Sequence, residues 1–253
     1  MIMENRNESP ETLISERSQG EVERCVDAVL RSRRSVREYK SDPVPQQTVL
    51  DILQVAATAP SNSNTQPWLV HVLTGAPIQA LEKALITAFQ DGSLPPSAHF
   101  PDPLPDVFSA RQTDFAERYY GALGIDRKDA AARSKQTQRN FSFFGAPVGL
   151  IFTIDARLSR HSWLDLGLYI QNVMIAAQAR GLDTCPQVSF SRFRSLISTH
   201  LQMSAEEVTA CGMSLGFGNT AARVNRMNMP RERVEKFVRL IGFEESAMVG
   251  MAA

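Results

Sequence analysis

The stretch "APSNSNTQPW", Ala59–Trp68, separates an amphipathic segment from an extended apolar run. Upstream, Val49, Ile52, Leu53 and Ala56 recur at helical spacing, and Pro45 suits the first turn of that helix. Downstream, "WLVHVLTG" reads as a strand stopped by Gly75. Proline, serine, asparagine, threonine and glutamine crowd the connection between them. A plain surface loop needs one or two turn residues, so this one reads as a surface that holds something polar.

The same interleaving of helix and strand continues along the chain. Val22, Cys25, Val26, Val29 and Leu30 predict a helix over Glu21–Leu30, preceded by an arm, residues 1–20, with little periodicity. Leu81, Ala84, Leu85 and Ala88 predict another over residues 77–90. "DGSLPPSAHFPDPLPDVF" then holds five prolines and excludes a regular element, and a helix-like stretch runs from Ala110 to Gly124. Residues 91–124 therefore form an insertion of the length usual for functional covers or disordered loops. "FFGAPVGLIFTID" reads as a buried strand beginning at Phe143. "HSWLDLGLYIQNVMIAAQARG" is the clearest helix, with Ser162 and Asp165 resembling a capping box and Gly181 at its end. A short helix to about Leu201, the strand "VTACGMSLGFGN" and a helix over Arg231–Leu240 complete the pattern. Both α/β and α+β classes fit this order.

The bulk numbers narrow the function. A chain of 253 residues with 43% hydrophobic and 21% charged residues can bury a substantial core. Lys plus Arg and Asp plus Glu both number 27, so there is no basic field for nucleic acid or an anionic membrane. No run of 18 apolar residues predicts a membrane span, and the polar, acidic start resembles no secretory signal. Cys25, Cys185 and Cys211 are odd in number and lack metal-ligand spacing, which predicts idle thiols in a reducing compartment, the cytoplasm. No dinucleotide fingerprint, phosphate loop, zinc motif or nucleophile elbow occurs, and mid-strand His71 reads as structural. With no side-chain nucleophile in view, an enzymatic reading requires a bound cofactor.

"RSRRSVREY" places Arg31, Arg33, Arg34, Ser35 and Arg37 within seven residues. A solvated basic helix end is one reading. In an extended segment, however, Arg33, Ser35 and Arg37 share one side, so two guanidinium forks flank a hydroxyl, a geometry suited to phosphate.

"RRSVREY", "APSNSNTQPW", "GLDTCPQVSFS" and "GMSLGFGN…VNR" follow one another in the order found in FMN-dependent nitroreductases. From Glu21 to Phe243 the chain resembles that family, and within it the subgroup acting on nitrobenzoates and related nitroaromatics. The resemblance implies an α+β fold, with a central mixed or antiparallel sheet wrapped by helices and an interlocked homodimer carrying FMN at the subunit interface. It implies FMN contacts from Arg33, Arg34, Ser35 and Arg37, from Pro60, Ser61, Asn62 and Asn64 across the dimer, and from Arg226. Gln66, Pro67 and Trp68 are expected to fix the loop rather than touch the cofactor. Gln187, Val188 and Ser189 match the segment facing flavin N5; relatives often carry glycine where Val188 stands. Two positions beyond Arg226, where the family often has a basic residue, this chain has Asn228.

The implied chemistry is ping-pong. NADH or NADPH passes a hydride to N5 and leaves, then a nitroaromatic accepts two electrons, giving nitroso and later hydroxylamino products. No residue is required as an essential acid, and no metal is implied. Phe100, Phe108, Phe115, Tyr119 and Tyr120 in the insertion either cover the flavin's open face or pin the insertion to the dimer surface. A flavin, quinone or enone reductase of the same fold, a non-enzymatic flavin binder and a cofactor-free interaction protein are the competing readings. Residues 244–253 are expected to form a tail.

Overall fold

The computed structural model describes residue 14, residues 17–93 and residues 99–243. Most of the expected arm, part of the proline-rich insertion and the expected tail lie outside the described residues. Among the described residues seven helices and four strands occur in the order α1 (Gln19–Ser32), α2 (Gln46–Ala56), β1 (Leu69–Leu73), α3 (Gly75–Gln90), α4 (Asp106–Leu123), α5 (Ala130–Gln138), β2 (Val148–Asp155), α6 (Arg160–Gln178), β3 (Asp183–Gln187), α7 (Arg194–Leu201) and β4 (Glu207–Gly216). The strands form one antiparallel sheet in the order β1-β2-β4-β3, so the class is α+β.

β2 explains the layering. Its apolar run is buried from Val148 to Ile154, as expected of a central strand covered on both faces. Leu150, Phe152 and Ile154 join Val49, Ile52 and Ala56 of α2 and Leu166, Tyr169 and Val173 of α6 in one core. Ile151 faces the other way, into a second core with Leu81 and Leu85 of α3, Ile197 of α7 and Phe141, Phe143, Phe144 and Phe190. The sheet is therefore a wall between two apolar layers.

Phe143 and Phe144 were expected to open β2, but they lie in a 3-10 segment, Arg139–Gly145, with φ of 47° and 55°. That turn drops the rings under the sheet instead of along it. Two sheet glycines make room for rings of this layer, one for Phe143 and one for Phe190. A Cβ on Gly149 would stand 2.7 Å from the Phe143 ring, and one on Gly212 would stand 2.7 Å from Phe190. Each ring occupies the volume a side chain would fill.

Other local expectations change with tertiary context. Gly75 opens α3 instead of only stopping β1, with Thr74 as its extended N-cap. The helix expected from Ala110 begins at Asp106, directly after Pro105. Ser159 caps α6 and accepts from His161 N–H, so the Ser162–Asp165 capping box is not formed; Asp165 is buried within the helix. The helix expected over Arg231–Leu240 reduces to a 3-10 turn at Val234–Lys236. Its apolar residues Phe237, Leu240 and Ile241 are exposed, so no packed face supports a short helix there. Gly181 behaves as expected: it takes φ 72°, and Leu182 N–H returns to Ala177 O. His71 of β1 pairs through Nε2 with Glu207 of β4 across the intervening strand, a structural role. Among the described residues no helix is long and apolar enough to cross a membrane.

Gly212→Ala tests the ring-and-glycine packing. Urea unfolding is expected to show a loss of about 1–3 kcal/mol, the usual cost of overpacking. A loss under about 0.5 kcal/mol would mean that Phe190 moves aside freely.

Candidate functional site

The basic segment after α1 is built as an added sheet edge. Arg33 leaves the helix with extended geometry (φ −62°, ψ 133°), and Ser35 then bridges in parallel to Thr184 of β3. Val36 N–H donates to Thr184 O, and Lys40 N–H donates to Phe217 O. Val36 is buried in the second core. Val36 is anchored inward, but Arg34 lines the same cleft as Arg33, Ser35 and Arg37, so the strict alternation expected of an extended segment does not hold at Arg34.

Asn225, in the motif "VNR", fixes this segment against the C-terminal part of the chain. It is buried, and its Oδ1 accepts Arg37 N–H at 2.8 Å. Its Nδ2 donates to Glu38 O at 2.7 Å and to Asn219 O at 2.9 Å. All three bonds are backbone contacts that no other side chain in the motif makes.

Between these two pieces lies a cleft of about 480 Å³. Arg31, Arg33, Arg34, Ser35 and Arg37 line one side, and Asn225, Asn228 and Arg231 line the other, with Phe115 of α4 at the rim. Among the described residues no carboxylate lines it. Arg31 is engaged by Asp27 at 3.1 Å. Arg37 makes no ion pair among the described residues; its Nη1 donates to Ser35 O at 3.2 Å. Cationic forks, a hydroxyl and two amides line a space with no counter-ion among the described residues, which is the donor set of an anion site. An FMN phosphate and the acceptor edge of its ring system fit that donor set.

Thiol chemistry is not offered here. Burial pushes the Cys185 thiol beneath the cleft up to about 11, although Arg37, Ser35 and Arg33 pull the other way. Burial holds Cys211 near about 12. Among the described residues no group of His, Cys, Asp and Glu could hold a metal ion.

The second polar stretch stands elsewhere. Asn62–Asn64 form a 3-10 turn, with positive φ at Ser63, Asn64 and Gln66. Asp165 Oδ2 accepts Asn62 N–H at 3.2 Å, and Ser61 Oγ accepts Gln66 N–H at 3.0 Å. Trp68 stacks on Tyr169, with centroids 4.7 Å apart and planes 5° from parallel. The loop is thus pinned at both ends, while Pro60, Asn62 and Asn64 stay exposed. It enters β1, at the sheet edge opposite β3 and the arginine segment. Three strand spacings separate those edges, about 14 Å. Pro60, Ser61, Asn62 and Asn64 do not line the arginine cleft.

Gln187 ends β3, and Val188 and Ser189 follow it in a 3-10 turn. The Gln187 side chain is buried and spent internally, donating to Asn140 O at 2.6 Å and accepting from Ser214 Oγ at 2.7 Å. Val188 is 53% exposed. Ser189 Oγ is a buried hydroxyl without a partner among the described residues. Arg226 is exposed and does not line the cleft, whereas Arg231 does. Sequence reasoning missed Arg231 and Asn225. Pro230 precedes Arg231, and the non-helical path through it returns that arginine to the cleft. The insertion aromatics also divide: Phe100 and Phe108 are exposed, Tyr120 packs under Arg133, and Phe115 and Tyr119 pack against Arg37.

The fold is shared with known enzymes. Residues 30–217 match the Nitroreductase family model, and the chain belongs to that family of oxidoreductases. It is 49% identical over 218 residues to the 4-nitrobenzoate reductase of Pseudomonas putida, covering 86% of this chain and 96% of that one. It is 39% identical to the chloronitrobenzene nitroreductase of Comamonas testosteroni, covering 85% and 96%. Its fold superposes on the FMN- and NADPH-dependent nitroreductase NfnB of Sphigopyxis sp. strain HMH with a TM-score of 0.84 at 31% identity, covering 86% and 99%. NfnB from Mycobacterium smegmatis, solved with NADPH, gives 0.83 at 30%, covering 87% and 99%.

The Asp165 anchor is testable without any ligand. Asp165→Ala is expected to lower stability by about 1–3 kcal/mol in urea unfolding, because Asn62 N–H loses a charged acceptor. Hydrogen exchange at residues 61–66 should accelerate more than exchange in β2; uniform acceleration would show that Asp165 does not act through the loop.

Proposed function

We propose that this chain binds FMN and uses NADH or NADPH to reduce nitroaromatic compounds in a ping-pong cycle, as a homodimer in the cytoplasm. The observation that carries the reading is the cleft itself, lined among the described residues by five arginines and no carboxylate. Arg33, Arg34, Ser35 and Arg37 would hold the phosphate and the pyrimidine edge of the flavin. Arg226, or Arg231 in its stead, would add a cation from the C-terminal segment. Gln187, Val188 and Ser189 would face N5 through their backbone, since the Gln187 side chain is already engaged. When bound, FMN supplies the hydride relay between the nicotinamide and the nitro group through N5. The chain's own residues orient the ring, compensate charge at its pyrimidine edge and close the site to water.

Two features support a second copy as the missing half. Pro60, Ser61, Asn62 and Asn64 lead into the sheet edge opposite the arginine segment and do not line its cleft. In addition, α1 and α2 both pack on α6, and their outer faces leave Val26, Leu30, Leu50, Val55, Leu164 and Leu168 exposed. An uncovered apolar surface on three adjoining helices suits an interface. The names of the relatives, 4-nitrobenzoate reductase above all, favour a nitrobenzoate as substrate. Free cysteines agree with a reducing compartment.

The purified protein is expected to be yellow, with about one FMN per chain, and to elute as a dimer. Arg33→Ala should weaken FMN binding by about ten- to a hundred-fold, the usual worth of a charged hydrogen bond. Arg226→Ala and Arg231→Ala, compared by fluorescence titration, decide which C-terminal cation meets the phosphate. Colourless protein that takes up no FMN, or unchanged affinity in all three variants, would overturn the assignment. Steady-state rates with nitrobenzoates, quinones and enones separate nitro reduction from the competing reductase activities.

A further inference from the structure

Helix α4 belongs to the insertion, the part of the chain with the least obvious purpose. One of its faces is aromatic, because Phe115 and Tyr119 are four residues apart and so share a side. Their rings stack, with centroids 5.5 Å apart and planes 13° from parallel. The Arg37 guanidinium carbon lies over both, 5.4 Å from the Phe115 centroid and 5.2 Å from the Tyr119 centroid. Tyr119 is buried, and its hydroxyl accepts from the buried Gln136 of α5 at 2.7 Å. The pair of rings is therefore held by a second helix and cannot swing freely. Arg37 has its backbone fixed by Asn225, its Nη1 on Ser35 O and its charge on the rings, with no carboxylate partner among the described residues.

We propose that Phe115 and Tyr119 are positioning residues, an aromatic seat that holds the Arg37 guanidinium in the orientation in which it meets the cofactor. A flexible arginine without a counter-charge samples many rotamers, and ordering it on binding costs affinity. A flat aromatic pair attracts the cation without neutralising it, unlike a carboxylate, so the charge stays available to an incoming anion. The insertion then acts on cofactor binding through α4. These two rings serve the arginine and not a substrate stack. The inference rests on the reading that Arg37 contacts FMN.

The test is a double-mutant cycle on the full-length flavoprotein, with the FMN dissociation constant read from recovery of free-flavin fluorescence on dilution. Phe115→Leu and Tyr119→Leu are each expected to weaken FMN by about three- to thirty-fold, the range for a partly desolvated cation–π contact. Tyr119→Phe keeps the ring and should restore affinity to near the parent value. Adding Phe115→Leu to Arg37→Gln should cost no further affinity, because the arginine through which the ring acts is gone. Additive losses in the double variant would overturn the proposal, as would full affinity in Phe115→Leu and Tyr119→Leu alongside weakened Arg37→Gln. Full affinity in Arg37→Gln would instead remove the underlying reading that this arginine binds FMN, and the proposal with it. Urea midpoints for each variant identify any that fail by unfolding, and for those the Tyr119→Phe and Phe115→Leu pair carries the decision.

Discussion

The hydrogen bonds of one buried asparagine join two parts of the chain that are 188 residues apart. Asn225 accepts from Arg37 and donates to Glu38 and Asn219, so both walls of the arginine cleft are set by the same amide. An amide is suited to this because it presents an acceptor and two donors within one rigid plane. A carboxylate there would offer no donor to the two carbonyls and would bring a negative charge to the cleft. Each such bond contributes about 0.5–1.5 kcal/mol, but an unmatched buried group costs more than that, so the three bonds stand or fall together. The extended path of residues 33–40 beside β3, and with it the convergence of the arginines, depends on this clamp.

The cleft gathers cations that repel one another in the absence of an anion. The fold offsets that repulsion locally. Asp27 takes up part of the charge on Arg31 at the solvent edge, and the Phe115–Tyr119 pair faces Arg37 with the negative side of its rings. Asp183, partly buried beside the cleft segment, has its carboxyl held above the usual range by burial, while Gly218 N–H and Arg34 draw it the other way. These contacts hold the arginines in place without filling the space between them. A site ordered before its ligand arrives loses less conformational entropy on binding.

On the proposed dimer, the two polar stretches have complementary tasks. The arginine cleft sits beyond β3, and the Ser61–Asn64 turn sits before β1, at the far edge of the same sheet. The wall between them is rigid, because both of its faces are packed with apolar side chains and its glycines admit aromatic rings at van der Waals contact. A rigid sheet fixes the span between the two half-sites and hence the relative placement that a second copy must supply. Asp165 contributes to the same end by tying the turn to α6, one of the three helices with uncovered apolar faces.

The sequence by itself determined the class of elements and most of their places. Apolar periodicity located α2, α6 and β2, and extended spacing grouped Arg33, Ser35 and Arg37, because side-chain spacing along helices and strands is a local property. Arg34 joins the same cleft outside that alternation. Motif order was enough to point to the nitroreductase family. What only the tertiary structure decided depends on contacts between distant residues. The partner of Asp165 is a backbone amide 103 residues away, so a local capping pattern misread it. Arg231 reaches the cleft through a non-helical path, while nearby Arg226 turns outward; nothing in their spacing distinguishes them. Phe143 and Phe144 look like strand residues, but a turn with positive φ takes them under the sheet, where Gly149 leaves room for the Phe143 ring. The C-terminal apolar stripe looks helical, yet a helix needs a surface to pack on, and this chain alone presents none there.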